Sequence, residues 1–139
     1  MIEVNNLTVY SIDKKSLKKT AAEILKKESI RGRLKKKDLS IALVGQKRIK
    51  ELNKRYRGKN RPTDVLAFED GENWGEVIIC PVEIKKNAKK FNSTFKKEVA
   101  RVLIHGILHL FGYDHEKEEK EEKRMKKKEE YYLDKLYKI

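Results

Sequence analysis

The chain has 139 residues, of which 41% are charged and 38% are hydrophobic, a length that accommodates one domain over residues 1–139 rather than two. Its formal net charge of +13 favours a polyanionic partner, RNA or DNA, over a cationic one, although a lysine-rich surface also serves solubility alone. No run approaches the ~18 apolar residues of a membrane span, and the first residues lack the pattern of a signal peptide, so we expect a cytoplasmic protein without a membrane partner.

The first part of the chain predicts two strands and two helices. Residues 2–10 are rich in β-branched side chains, which favours a strand, and Asp13 is placed to cap the helix that follows. That helix has one apolar stripe at helical spacing, formed by Leu17, Ala21, Ile24 and Leu25. Residues 39–45 predict a central strand, and residues 47–55 predict a second helix with one apolar side facing inward.

A cationic loop then leads into a predicted hairpin. The loop begins at residue 56 and runs into a strand that ends at residue 68, and Pro62 is expected to stop the preceding helix. Residues 74–81 predict the next strand, and the turn-forming residues 69–73 between the two strands indicate a hairpin. Cys80 is interpreted as a small buried hydrophobic residue rather than a nucleophile.

The rest of the chain predicts three more helices. Residues 82–90 form a short amphipathic helix, residues 92–94 cap a strongly apolar helix with two histidines, and a charged helix runs from residue 116 onward. The last helix has a sparse apolar stripe, formed by Met125, Tyr132, Leu133 and Leu136. Four strands among about five helices predict an α/β fold with some α+β character, in which a four-stranded mixed sheet packs against the central histidine-bearing helix.

All three histidines of the chain fall between residues 105 and 115. His105 and His109 are four residues apart, so on a helix their rings lie on one face about one turn apart and can bind one ion. Gly112 supplies the left-handed turn that commonly ends a helix, which lets His115 approach the same ion. Three imidazoles suit zinc and leave its fourth position for water, as in catalytic sites. We therefore predict one Zn²⁺ per chain, bound by His105, His109 and His115.

Other interpretations of this motif stay open. A histidine pair at this spacing also occurs in ordinary helical cores. The spacing equals that of the long metalloprotease signature H-E-x-x-H-x-x-G-x-x-H, but its glutamate, the general base of those peptidases, is Gly106 here. A protease would need another base, with Asp114 or Glu116 as the candidates. A structural zinc in a non-catalytic protein would need a fourth protein ligand, such as Asp114.

Two motifs carry a family resemblance. The run His-Gly-Ile-Leu-His-Leu-Phe-Gly-Tyr-Asp-His, from His105 to His115, resembles the H-G-x-L-H-L-x-G-Y-D-H signature of the YbeY family of metal-dependent endoribonucleases, the ribosomal RNA maturation factors. The run Leu52-Asn-x-x-Tyr56-Arg57, followed by Pro62-Thr-Asp-Val-Leu-Ala-Phe68, is similar to the second signature of that family. The strand Gly75-Glu-Val-Ile-Ile is similar to its G-D-I-V-I segment, so the resemblance covers most of residues 39–136.

The resemblance implies a zinc-dependent endoribonuclease that acts on single-stranded RNA in 16S ribosomal RNA processing and small-subunit assembly. The partners that it implies are precursor ribosomal RNA and the 30S subunit, with ribosomal proteins or GTPase assembly factors as further ones. A non-catalytic, zinc-containing assembly factor would carry the same residues and is kept as an alternative, beside the metalloprotease.

The predicted RNA contacts are four cationic side chains, Arg55, Arg57, Lys59 and Arg61. The resemblance matches Arg57 to the family's RNA-handling arginine, so we expect its guanidinium to bind phosphate and stabilise the charge of the transition state. Catalysis is then predicted to depend on Arg57 and the three metal-binding histidines, with Asp114 orienting His115 from outside the ligand set. The same cations disfavour the protease, since they would surround a polypeptide for no evident purpose.

Overall fold

The computed structural model of the protein describes residues 1–30, 38–69, 74–113 and 119–137. Within these ranges the elements are, in chain order, β1 (Ile2–Asn6), α1 (Lys14–Ile30), β2 (Asp38–Leu43), α2 (Gln46–Arg57), β3 (Val65–Glu69), β4 (Trp74–Ile79), α3 (Pro81–Lys90), α4 (Phe95–Leu110) and α5 (Glu119–Leu136). The four strands form one mixed sheet, and α4 is the helix that carries the histidines. The predicted fold class is therefore confirmed.

The sheet has the strand order β1-β2-β4-β3. The first three strands in this order run parallel, and β3 pairs antiparallel with β4 at the edge, where Val65 lies opposite Ile79. The predicted hairpin and the predicted inner position of β2 are thus correct. The residues of the hairpin turn from 70 to 73 lie outside the described residues.

Helices cover both faces of the sheet. On one face α1 and α4 pack over the strands and α5 packs against α4, and the core of this layer includes Leu39, Ile41 and Val77. On the other face a smaller cluster joins Ile49 of α2 to Ile78 of β4. Because neighbouring positions along a strand point to opposite faces, Val77 and Ile78 serve the two layers in turn.

Two glycines let α4 lie close against β4. A Cβ atom on Gly75 would come within 2.6 Å of Cδ1 of Leu110, and one on Gly106 within 2.8 Å of Cγ1 of Val77. Neither position has room for a side chain without a shift of its neighbours. The C-terminal half of α4, which carries the two histidines, is therefore held directly on the hairpin strands.

Several local predictions are confirmed at the level of single bonds. The N–H of Ser16 donates to Oδ1 of Asp13 at 3.2 Å, which caps α1. Thr94 caps α4 in the same way, accepting from the N–H of Lys97 at 3.1 Å. Cys80 is fully buried, and the predicted apolar stripe of α1 is buried as well. Gly112 has the left-handed conformation predicted for it, with φ at 89°.

Two predicted boundaries were wrong for local reasons. The first strand ends at Asn6 and not at residue 10, because the Asn6 side chain accepts from the N–H of Thr8 and donates to the carbonyl of Tyr10, which turns the chain. The second helix ends at Arg57, where Gly58 adopts φ 70° and donates back to the last turn, so Pro62 plays no part in stopping it. None of the helices within the described ranges has the length and apolarity that a membrane crossing requires.

Candidate active site

The two histidines of α4 lie on its one partly exposed stripe. From Val99 to Leu110 every residue of the helix is buried except Arg101, His105 and His109, which follow one another at intervals of four. The buried residues pack against the sheet and the neighbouring helices, so the rings of His105 and His109 lie on the side that opens to a cavity. The prediction that α4 presents both rings on one face is confirmed.

Each histidine uses its Nδ1 atom in a hydrogen bond to the protein. Nδ1 of His109 lies 3.0 Å from the carbonyl oxygen of Tyr113, so it is the donor, because a carbonyl oxygen only accepts. Nδ1 of His105 is hydrogen-bonded to Oε1 of Glu129 on α5. These bonds select the tautomer that has a lone pair on Nε2, which is the form in which histidine binds a metal ion.

The cavity beside these rings has a volume of about 560 Å³. It is lined by the end of α2, the segment from Lys59 to Ala67, and the His105 and His109 region of α4. Three of the four predicted RNA contacts, Arg57, Lys59 and Arg61, line this cavity. Arg55 does not belong to its lining and instead lies with its guanidinium 5.4 Å from the ring of Tyr56.

Arg57 is held at the cavity by contacts to β3. Its Nη2 donates to the carbonyl of Ala67 at 2.9 Å, and its guanidinium lies 5.7 Å from the centre of the Phe68 ring. One N–H on Nη2 is thus used to orient the side chain, while a guanidinium group has five N–H donors in all. The remaining donors are available to an anion in the cavity.

The loop between α2 and β3 is fixed from below by a buried amide. Asn53 is 3% exposed, and its Nδ2 donates to the carbonyl of Arg61 at 2.8 Å. The backbone carbonyl of Asn53 accepts from the N–H of Lys59. The backbone that carries Lys59 and Arg61 is therefore bonded to α2.

Two acidic residues at the site were not predicted. Asp64 lines the cavity and is half-buried, and burial raises the pKa of its carboxyl, while the charge of His105 and the nearby backbone N–H groups act in the opposite direction. Glu129 binds His105 from α5. Glu129 stands four residues after Met125 and four before Leu133, both buried, and a charged residue inside a buried stripe is a signal that could have identified it.

The third predicted ligand, His115, and the predicted orienting residue, Asp114, lie outside the described residues. Among the described ones, no three histidine, cysteine or acidic side chains are grouped for a metal ion. The histidine pair fits a metal nevertheless, because both Nδ1 atoms are already bonded and both rings line one cavity. Two imidazole nitrogens from one helix face suit zinc and other transition-metal ions.

Comparison with known proteins gives one consistent family. The model of the family described as endoribonuclease YbeY matches residues 3–137. A curated endoribonuclease YbeY of Thermotoga maritima is 43% identical over 124 residues, which cover 88% of this chain and 79% of the relative. One from Sulfurihydrogenibium is 41% identical over 140 residues, covering 94% and 90%. A solution structure of a Thermotoga maritima protein superposes with a TM-score of 0.72 at 41% identity, covering 99% of this chain and 89% of that one.

Proposed function

Because this chain belongs to the endoribonuclease YbeY family, we propose that it is a metal-dependent endoribonuclease that acts on single-stranded regions of precursor ribosomal RNA during maturation of the small ribosomal subunit. The family resemblance predicted from the two sequence motifs is thereby confirmed. The 30S subunit, ribosomal proteins and GTPase assembly factors are part of the proposal as partners, and the cytoplasm is its proposed location.

One observation carries the chemistry. A pair of histidines, each with Nδ1 bonded to the protein, shares a cavity with three cationic side chains, Arg57, Lys59 and Arg61. A metal ion beside a cationic rim suits a phosphodiester, since the phosphate needs charge neutralisation when it binds and more of it as the transition state forms. RNA is the polyanion that the net charge of +13 would attract.

We assign His105, His109 and His115 to one zinc ion per chain. Glu129 and the carbonyl of Tyr113 would keep the two rings of α4 in the ligating tautomer and orientation. Asp114 keeps its proposed role of orienting His115. When bound, zinc supplies a Lewis acid that makes water acidic near neutral pH and withdraws charge from phosphoryl oxygens.

Arg57 is assigned to the phosphate. Its position is fixed by the bond to Ala67 and by Phe68, so the guanidinium meets the substrate without first losing much side-chain freedom. The permanently charged fork can bind two phosphate oxygens at once. Lys59, Arg61 and, outside the cavity, Arg55 would then contact the flanking backbone, which positions the strand without reading its sequence.

The protease alternative is weakened by packing. Position 106, which holds the catalytic glutamate in the metalloprotease signature, faces Val77 at a distance that leaves no space for a side chain. A glutamate at this position would require Val77 or the helix to shift, which disfavours the protease base there.

The function is tested by metal removal and return. Protein purified without chelators or nickel resin is stripped of metal, reloaded with one equivalent of zinc, and mixed with a labelled single-stranded RNA. We expect cleavage in the native protein, loss of cleavage on stripping, and recovery with zinc. His109→Ala from a parallel preparation should bind less than one zinc and remain inactive. Equal cleavage by the stripped protein, or by this variant, would remove the site from the reaction.

A further inference from the structure

The metal-facing helix has no carboxylate beside its histidines. Gly106 follows His105, and a Cβ atom there would lie 2.8 Å from Cγ1 of Val77 and 3.2 Å from Cγ2 of Val65. The space beside the first histidine is therefore filled by side chains of β4 and β3. Among the described residues, a group that accepts the proton of an attacking water would therefore come from another element.

Asp64 immediately precedes strand β3. The next residue, Val65, starts β3 and is one of the two side chains packed on Gly106. Its neighbour Asp64 lines the cavity together with His105 and His109. Among the described residues that line this cavity, Asp64 is the one carboxylate.

A backbone hydrogen bond fixes Asp64, and the side-chain contacts of its carboxylate are long. The carbonyl of Asp64 accepts the N–H of Cys80 at 2.9 Å, which ties the residue to the end of β4. The side-chain donors around the carboxylate, Oγ1 of Thr63 and Nδ2 of Asn87, are both 3.4 Å away, at the long limit of a hydrogen bond. The backbone N–H groups of Asp64 and Val65 also donate to the carboxylate, so a water in the cavity would take the place of one of the two long side-chain contacts.

We propose that Asp64 is the proton acceptor in the hydrolysis of RNA at this site. The inference rests on the function proposed above and names the base of that reaction. The water oxygen forms a bond to phosphorus as the bond from phosphorus to the leaving ribose oxygen breaks. The water proton passes to an Asp64 carboxylate oxygen, and the leaving oxygen takes a proton from solvent. Asp64 later returns its proton to solvent, so one water is consumed for each bond cut.

The environment of Asp64 suits this role. The Asp64 side chain is half-buried at the wall of the cavity that both histidines line, so it can meet a water placed beside them. The basic residues of the cavity rim attract the phosphate, so the carboxylate does not have to contribute to RNA binding.

The test compares Asp64→Asn with Glu69→Gln, which makes the same chemical change on the exposed end of β3. Three quantities are measured on zinc-loaded protein: the single-turnover cleavage rate of a labelled single-stranded RNA, the Kd of the uncleaved RNA, and zinc affinity by chelator competition. Asp64→Asn should cut the rate by ~10²- to 10⁴-fold, the usual contribution of a general base. Its RNA affinity should be equal or higher, and its zinc affinity should stay within about threefold. Glu69→Gln should match the native protein in all three.

Other results would overturn either this proposal or the proposed function itself. A rate within about threefold of native would overturn the proposal, and so would a tenfold loss of zinc affinity, which would make Asp64 a ligand instead. If Asp64→Asn does not fold, Asp64→Ala is assayed with added formate, a small carboxylate that should restore cleavage in proportion to its concentration. An absence of rescue in folded Asp64→Ala would also count against it. If the native protein itself fails to cleave any RNA, the proposed function fails, a result distinct from loss in the variant alone.

Discussion

The carboxylate of Glu129 on α5 is hydrogen-bonded to Nδ1 of His105 on α4. Both side chains are largely shielded, with 16% of Glu129 and 29% of His105 exposed. A carboxylate in this position orients the ring and makes its other nitrogen a stronger ligand. The last helix therefore contributes to the proposed metal site, although its outer surface is a solvated array of lysine and glutamate.

Glu129→Gln should weaken zinc binding by ~10- to 100-fold, because the amide keeps the size of the side chain but loses the charge that supports His105. Chelator competition measures the affinity. Glu130→Gln is the matched control, since Glu130 is 52% exposed and lies 3.8 Å from Arg101 rather than near a histidine. Equal zinc affinities in the two variants would show that Glu129 does not support the metal site.

A second long-range contact fixes the segment that follows α4. Tyr113 donates through its hydroxyl to the buried Glu28 of α1 at 2.8 Å, and Tyr132 of α5 donates to the other carboxylate oxygen. The carbonyl of the same Tyr113 binds His109. Tyr113, which directly precedes Asp114 and His115 in the sequence, is thus bonded to both α1 and α4.

Tyr113→Phe should lower the free energy of unfolding by about 1–3 kcal/mol, because it removes a donor from a buried carboxylate. Chemical denaturation of the metal-free protein measures this change. Tyr131→Phe is the control, since Tyr131 is 45% exposed. Its hydroxyl accepts a hydrogen bond from Nζ of Lys27 at 3.3 Å rather than donating to a buried carboxylate. That variant should stay within about 0.5 kcal/mol of native. Identical losses in both would contradict the role given to Glu28.

Gly106→Ala tests the contact between α4 and the sheet. The added methyl would meet Val77, so we expect a loss of about 1–3 kcal/mol, partly offset by the higher helix propensity of alanine. Gly45→Ala is the comparison, because a Cβ atom there would meet nothing within 4 Å. Thermal and chemical unfolding measure the stability of the two variants. An unchanged free energy of unfolding in Gly106→Ala would mean that α4 can move away from β4 at no cost.

The cationic rim predicts a salt-dependent affinity for RNA. The logarithm of the affinity should fall linearly with the logarithm of salt concentration, and Lys59→Gln or Arg61→Gln should each reduce the slope by about 1. Lys18→Gln on α1, which does not line the cavity, should leave the slope unchanged. Fluorescence titrations at several salt concentrations provide the slopes. A flat dependence in the native protein would assign the net charge to solubility.

The sequence predicted the parts of the site that lie on one element or that a family motif marks. The spacing of His105 and His109 is local to α4, and a 3.6-residue period places both rings on one face without any tertiary information. Arg57 came from the motif resemblance, and it lines the same cavity as the two histidines. The strand order was not predicted in detail, but the inner strand and the hairpin were, since both follow from short-range patterns.

Glu129 and Asp64 were missed because their partners are distant in sequence. Glu129 lies 24 residues from His105, and its place between the apolar residues of α5 indicates a shielded charge but not its partner. Asp64 sits in a loop after Pro62 and Thr63, where an aspartate is most simply a turn residue. The packing of β3 on α4 brings it to the histidines, and that contact depends on the absence of a side chain at Gly106.

Single-turnover cleavage of a labelled single-stranded RNA by zinc-loaded native protein and Arg57→Ala tests the central claim most directly. The variant should keep its zinc and lose the rate by ~10²-fold or more, the effect of removing one preorganised charged donor, while Arg57→Lys recovers part of it. His109→Ala from the same preparation, which lacks a metal ligand, should be inactive. Cleavage that persists at the native rate in both Arg57→Ala and His109→Ala would contradict the assignment of RNA hydrolysis to this cavity.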